Sequence, residues 1–400
     1  MAAETPEPFL QIEWLTLLLR YWPVLCTAFI VAVVATPIAR FVARNAGIVD
    51  RPDEARKLHK KPIAYLGGVV ILVAVLAGIF VGDYTFLQVP DVFRHVPIAV
   101  LIGMFAIALT GLVDDIWGCD PWLKTSGQLV AAASLSLSEV GVNVAAGFFN
   151  GLFGQAQIEF YIPTPIGDIS VDVTYWVGIA IIAVFVLGAC NAANFIDGLD
   201  GLLSGVTGIT AMGLIATSLI VAVMMTPEQL ASIQANLPPD WLDMRGDGIT
   251  LSGANIVLGL AVLGAVLGFL IFNFNPASIF LGDTGSLLLG YICIAMVLML
   301  GEHGQTHIVV AGLIIFSLPI LDALLAIVRR KIAGRPVTAP DSNHIHHIIK
   351  RKMIGVKRTV FVLYGISAIF CFLGVQLAWG HITGEIRAWV IYLVAGALFG

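Results

Sequence analysis

The chain has 400 residues, 58% of them hydrophobic and only 12% charged, with a formal net charge of −5 at pH 7. Soluble domains carry about 25% charged residues, so a deficit spread over the whole length argues against a soluble globular protein and for a chain dissolved in lipid. The small net charge excludes little, because it averages over two membrane faces, and no nucleic-acid partner is expected.

A spanning helix needs about 20 mostly apolar residues. Such runs lie near 21–43, 64–82, 96–113, 125–142, 173–192, 201–225, 253–272, 285–301, 306–328 and 359–380, and another starts at about 387. They predict an all-α, polytopic membrane protein of ten or eleven transmembrane helices, read as one domain over 1–400. The first run is not expected to be a cleaved leader, since Glu4, Glu7 and Glu13 precede it instead of a basic stretch. Between the fourth and fifth runs, Ile158–Ile162 and Ile169–Val173 alternate apolar and polar residues and predict a small β-hairpin. The acidic segment 226–250, with Glu228, Asp240, Asp243 and Asp247, reads as solvated. Cys26, Cys119, Cys190, Cys293 and Cys371 lie far apart in or beside apolar runs and show no disulfide or zinc spacing.

The basic residues orient the chain. Arg40, Arg44, Arg51, Arg56, Lys57, Lys60 and Lys61 follow the first run, and Lys124 follows the third. Arg329, Arg330, Lys331, Arg335, Lys350, Arg351, Lys352, Lys357 and Arg358 follow the ninth. Of the 21 Lys and Arg, only Arg20, Arg94, Arg245 and Arg387 are left for the other face. Basic loops mark the cytoplasmic side, so the odd-to-even connections are expected to face inward.

The polar patterns fall on those same connections. Asp114-Asp115 closes the third run, Asn191 to Gly201 joins the fifth and sixth, Asn273 to Ser286 joins the seventh and eighth, and His344-Ile345-His346-His347 sits in the last basic loop. Asp114, Asp115, Asp197, Asp200 and Asp283, with Asn191 and Asn194, form an oxygen-rich set suited to Mg²⁺ or Mn²⁺. Histidines spaced i, i+2, i+3 do not share one helix face, which favours a loop presenting them to an anion beside Lys350, Arg351 and Lys352. Gly198, Gly201, Gly282 and Gly285 allow backbone amides to approach phosphate oxygens. Carboxylate-held metal beside cations is the equipment of phosphoryl transfer. The bland alternatives are a helix-end stop for Asp114-Asp115, caps for Asn191, Asn194 and Asp197, and topology determinants for Arg329, Arg330 and Lys331. Asp322, within the ninth run near Pro319, divides evenly between a structural partner and a site residue. A secondary transporter, the competing class, calls for mid-span acids and inverted repeats; apart from Asp322, the acids sit at run ends on one face.

Taken in order, Asp50-Arg51-Pro52, Lys61-Pro62, Gly67-Gly68, Asp114-Asp115, Asn191 to Gly201, Asn273 to Ser286 and His344 to His347 make the chain similar to the polyprenyl-phosphate N-acetylhexosamine-1-phosphate transferase superfamily, in its WecA-type bacterial branch. The resemblance implies transfer of a sugar 1-phosphate from a UDP-sugar to a polyprenyl phosphate in the bilayer, with release of UMP and dependence on Mg²⁺. It implies Asp283 as a metal ligand, with Asn194 and Asp197 beside it at metal and pyrophosphate. Asp114 and Asp115 are implied near the lipid phosphate, one of them a base, and Lys124 on phosphate. Asn191, Asp200, Asn273, Phe280 and Lys61 are implied to bind substrate, Phe280 by stacking on uracil, and His344, His346 and His347 to meet the sugar phosphate. UDP-N-acetylglucosamine is the expected donor, with UDP-muramoyl-pentapeptide second, and undecaprenyl or decaprenyl phosphate the acceptor; a homodimer in the bacterial inner membrane is expected by analogy. The family's third aspartate, three residues after the pair, is Gly118 here; Asp120 receives no role.

Overall fold

The computed structural model describes residues 14–50, 62–84, 93–138, 140–155, 157–164, 167–224, 250–302, 304–336, 344–352 and 355–400. In chain order the helices are α1 (Trp14–Asn45), α2 (Gly67–Tyr84), α3 (Ile98–Trp117), α4 (Pro121–Leu137), α5 (Asn143–Phe153), α6 (Val173–Ile196) and α7 (Leu202–Met224). They continue as α8 (Ser252–Asn273), α9 (Gly282–Met299), α10 (Thr306–Ile315), α11 (Ser317–Ile332), α12 (Ile345–Lys352), α13 (Val356–Ile382) and α14 (Ala388–Phe399). Two antiparallel ribbons complete the described chain: β1 (Val49–Asp50) with β2 (Ile63–Ala64), and β3 (Glu159–Thr164) with β4 (Gly167–Asp172). The second ribbon lies where the alternating pattern placed it. The acidic segment 226–250 falls outside the described residues except for Thr250.

Each apolar run has its helix, but the helices differ in length. Seven (α1, α3, α6, α7, α8, α9 and α13) are long and apolar enough to cross a membrane, and α10 with α11 makes an eighth if the pair, bent by 81°, is one span. These helices make the chain a multi-pass membrane protein. The expectation of ten or eleven spans also counted α2, α4 and α14. With 17 residues, α4 reaches about 26 Å at 1.5 Å per residue, short of a hydrocarbon core of about 30 Å. The bend falls at Phe316, three residues before Pro319. Proline has no N–H to bond back to the carbonyl four residues earlier, and its ring crowds that carbonyl.

The centre of the bundle is α9 and α8. Of their apolar windows 89% and 78% is buried, against 22% for α1. α1, α2 and α7 pack on α8, α3 and α6 pack on α9, and α13 packs on α7. Two glycines let the first turn of α9 be gripped from both sides. A Cβ on Gly68 of α2 would overlap the backbone of Thr284 and Gly285, and a Cβ on Gly111 of α3 would overlap that of Thr284 and Asp283. Gly111→Val is expected to cost about 1–3 kcal/mol by overpacking, read as a lower unfolding temperature in detergent; an unchanged temperature would show that the crossing has slack.

The chain from Ile279 to Leu281 runs beside β2. The Phe280 N–H donates to Ala64 O (2.9 Å), and the Gly67 and Gly68 N–H groups donate to Phe280 O (3.0 Å) and Leu281 O (2.9 Å). These bonds fasten the Ala64–Gly68 stretch to the turn entering α9. The C-termini of α1, α3, α6, α8 and α11 and the N-termini of α2, α4, α7, α9 and α13 alternate along the chain, which gathers Asp114-Asp115, Asn191 to Gly201, Asn273 to Ser286 and His344 to His347 at one end of the bundle; β3–β4 leads into the N-terminus of α6, at the other end.

Candidate active site

Neighbouring aspartates on α3 point about 100° apart, and the two have different tasks. Asp115 Oδ1 accepts from the Asp283 N–H (2.7 Å), and Oδ2 accepts from the Thr284 N–H (3.0 Å) and hydroxyl (2.6 Å). The first turn of a helix has amides with no intrahelical acceptor; Asp115 supplies one from a different helix. Gly282 adopts φ +70°, and the Asp115 carboxylate occupies the place a Cβ would take. Asp114 Oδ1 accepts from the Cys119 N–H (2.7 Å), and its Oδ2 pairs with Lys124 Nζ (2.7 Å). Lys124 also pairs with Asp283 Oδ2. One ammonium thus bridges two carboxylates from α3 and α9. Lys124 is carried by α4, whose first turn is capped by Asp120, accepting from the Trp122 N–H (2.8 Å), with Pro121 at the first helical position.

From α6, Asn194 donates to Asp283 Oδ1 and to Ser286 Oγ, both at 2.9 Å. Asp197 follows at the helix end and lines a cavity of about 840 Å³, within the size range of small-molecule sites. Burial, then the negative charge of Asp283, Asp115 and Asp200, raises the Asp197 carboxyl well above the usual carboxylate range. Acids gathered with too little positive charge among them are a place for a cation.

Asn194, Asp197, Asp200, Asn273, Phe280 and Asp283 all line this cavity. Asp200 also holds the turn before α9, its Oδ2 accepting from Asn275 Nδ2 (2.8 Å) and the Ala277 N–H (3.0 Å). Asn273, 3% exposed, accepts from Ser204 Oγ (2.9 Å) and donates to Ile279 O (3.0 Å), tying α7 to the same turn. The Phe280 ring is 6.2 Å from Tyr65. Asn191 is not part of the lining; it donates to Gln128 Oε1 (3.1 Å) and Leu187 O (2.8 Å), stitching α6 to α4. Lys61 lies outside the described residues.

The histidine segment is a helix, not the expected loop: α12 begins immediately after His344, and the three rings, in contact in series, meet different partners. His347 lines the cavity. His346 is 1% exposed, neither ring nitrogen has a hydrogen-bond partner among the described residues, and its ring fills the space a side chain at Gly198 would need. Burial, and then the neighbouring His347, pushes His346 down to about 3, so it is neutral. His344 turns the other way, onto Asp322.

Sequence reasoning missed Arg44, Asp50, Tyr65, Asn275 and Ser278 as wall residues. Asp50 and Asn275 stand inside the patterned segments and Tyr65 lies between two of them, so a signal was present. Arg44 had none beyond its charge.

The oxygen donors Asp283, Asp197 and Asn194 fit a hard divalent ion. Among the described residues no three His, Cys, Asp or Glu side chains converge as a ready-made metal cage. Mg²⁺ is commonly held by one or two carboxylates together with substrate phosphates, and that is the kind of set present here.

A family model described as glycosyl transferase family 4 matches residues 97–301, the stretch holding Asp114, Lys124, Asn194, Asp197 and Asp283. The chain is similar to a Bacillus subtilis protein named "Probable undecaprenyl-phosphate N-acetylglucosaminyl 1-phosphate transferase", 31% identical over 86% of this chain and 82% of that one. It is 31% identical to the decaprenyl-phosphate N-acetylglucosaminephosphotransferase of Mycobacterium tuberculosis, over 84% of this chain and 78% of that one. It is 26% identical to the undecaprenyl-phosphate alpha-N-acetylglucosaminyl 1-phosphate transferase of Haemophilus influenzae, over 87% and 83%. The family match covers half of the chain, and relatives 31% identical to it align along most of their length: this chain belongs to glycosyl transferase family 4.

Proposed function

We propose that the protein transfers N-acetylglucosamine 1-phosphate from UDP-N-acetylglucosamine to undecaprenyl or another polyprenyl phosphate, releasing UMP and leaving a lipid-linked pyrophosphoryl sugar for a cell-envelope glycan. One observation carries this reading: Lys124 bridges Asp114 and Asp283 beside an open cavity lined by Asn194, Asp197 and Asp200. Acids, one shared ammonium and room for a nucleotide form a phosphoryl-transfer site. The names of the relatives support the donor and acceptor. The basic residues at this end of the bundle support a cytoplasm-facing site in a bacterial inner membrane.

The acceptor's phosphate oxygen attacks the β-phosphorus of the donor; the bond to UMP breaks and UMP leaves with the electron pair. A phosphate monoester has its second pKa near 6, so the nucleophile is already largely dianionic and little proton is left for an aspartate to remove. Asp115 has both oxygens on the first turn of α9, so its task is to hold Asp283 in place. Asp114 and Lys124 face the acceptor: Trp117 and Trp122, 74% and 81% exposed, flank them, and exposed tryptophans belong at the membrane–water boundary. Lys124 would steady the attacking phosphate against the donor's charge. Asp200, Phe280 and Tyr65 form the wall offered to uridine, and His347 lines the same cavity. A divalent ion held by Asp283, Asp197 and Asn194 would neutralise charge on the pyrophosphate.

UMP release by the purified protein in detergent, given UDP-N-acetylglucosamine, undecaprenyl phosphate and Mg²⁺, tests this reading. Release is expected to require the lipid and to stop on EDTA. Release with a different UDP-sugar only would correct the donor, and no release with any UDP-sugar would overturn the assignment.

A further inference from the structure

Asp322 is a fully buried carboxylate on α11, outside the cavity and unused by the reaction above. Both of its oxygens serve the start of α12. Oδ2 is 2.9 Å from His344 Nδ1, and Oδ1 accepts from the Ile345 N–H (2.7 Å). An eight-residue helix is too short to be stable by itself, and its first amides need acceptors. Asp322 provides one from a neighbouring helix and grips the preceding ring as well. A buried carboxyl group is tolerated only when its oxygens are so engaged.

The grip is passed on through rings. The His344 ring packs on Phe195 of α6 at 5.3 Å, and the Arg330 guanidinium lies 5.6 Å from the same phenyl ring. His346 lies parallel to His344, with centroids 5.7 Å apart, and against Gly198; His347 follows at 4.2 Å from His346 and reaches the cavity. Phe195 and Gly198 flank Asp197. The same first turn therefore registers α12 against the end of α6 and sets where His347 stands.

We propose that Asp322 is a positioning residue for the donor side of the cavity, pinning the first turn of α12 so that His347 faces the nucleotide sugar. The proposal rests on the donor reading above. The 81° bend at Phe316 belongs to the same device, because it redirects α11 relative to α10 on the way to Asp322.

The test compares Asp322→Ala, Asp322→Asn, His347→Ala and the Asp322→Ala/His347→Ala pair as full-length protein in detergent. It reads the dissociation constant for UDP-N-acetylglucosamine, the KM for donor and for acceptor, kcat, and the unfolding temperature. Asp322→Ala is expected to weaken donor binding and raise donor KM about 10-fold or more, as displacement of a binding group does, with acceptor KM unmoved. Asp322→Asn retains a carbonyl to cap α12 and an amide to hold the other imidazole tautomer, and is expected to recover most of the loss. The double variant should cost no more than the worse single one.

A lower unfolding temperature with unchanged donor binding would mark Asp322 as structural only and overturn the proposal, as would losses that add in the double variant. If Asp322→Ala does not fold, His344→Phe breaks the same link while keeping a ring on Phe195: weaker donor binding is expected, and unchanged binding overturns the proposal. A parent protein that neither binds nor turns over a UDP-sugar overturns the donor reading and this proposal with it. A parent that binds, beside an Asp322→Ala variant that binds equally well, overturns this proposal alone.

Discussion

Asp283→Asn is expected to lower kcat by about 10³-fold while leaving the fold intact, because it removes the carboxylate charge that pairs with Lys124 and that, on the proposed reading, would hold a divalent ion against the reacting phosphates. The side chain stays the same size. The Asp283 N–H remains on Asp115 (2.7 Å), so the first turn of α9 keeps its acceptor. The amide can still meet Asn194, whose Nδ2 lies 2.9 Å from Asp283 Oδ1. What disappears is the negative charge shared with Lys124 and, on the proposed reading, the principal metal ligand. The measurement is a Mg²⁺ titration of UMP release alongside thermal unfolding. The parent unfolding temperature, with a kcat that excess Mg²⁺ does not restore, is the expected pair of results. Near-normal turnover would remove the metal assignment from Asp283, and a collapsed unfolding temperature would show that the carboxylate is needed for the helix crossing.

The architecture was legible because lipid demands long apolar runs, and every run read from the sequence is helical, with the run at 306–328 broken into α10 and α11. The end of the bundle that carries chemistry was legible for a related reason: a charged group in a chain of this composition sits at a helix end unless function holds it elsewhere, so the polar patterns had to collect where helices stop. Which atom does what was not legible. Asp114 and Asp115 are adjacent and chemically identical, and only the direction of α3 decides that one reaches Lys124 while the other is consumed by α9. Asn273 and Asp200 line the cavity, yet their hydrogen bonds hold the turn between α8 and α9 in shape.

Asn191 and Asn194 sit three residues apart, and only Asn194 reaches Asp283. The spacing of His344, His346 and His347 was read as incompatible with a common helical face, and correctly so. The conclusion that the segment is a loop did not follow, because one ring anchors the helix, one packs beneath it and one faces the cavity. Asp322 could not be assigned from sequence because its partner is 22 residues away across a segment with no periodic signal.

Lys124→Ala is expected to have the next largest effect, and it separates two roles that the bridging geometry combines. The ammonium stands between Asp114 and Asp283, with side-chain exposures of 29%, 16% and 26%, so water screens part of the pair energy and the cost to stability should be small. The cost to catalysis should not be: a cation set against developing phosphate charge contributes about 10²–10³-fold. The same removal takes one positive charge from beside the proposed divalent site. Two effects of opposite sign follow. kcat should fall by about 10²-fold or more and acceptor KM should rise, while the Mg²⁺ concentration giving half-maximal rate should drop below that of the parent, because the ion no longer competes with an ammonium for Asp283. Lys124→Arg should restore little activity, since a broad planar fork pairs with carboxylates in its own geometry and does not reproduce a compact point charge between them. If Lys124→Ala instead needs more Mg²⁺, the lysine and the metal do not share Asp283. The carboxylate would then belong to the lysine alone, and the ion would have to be sought at Asp197 and Asn194.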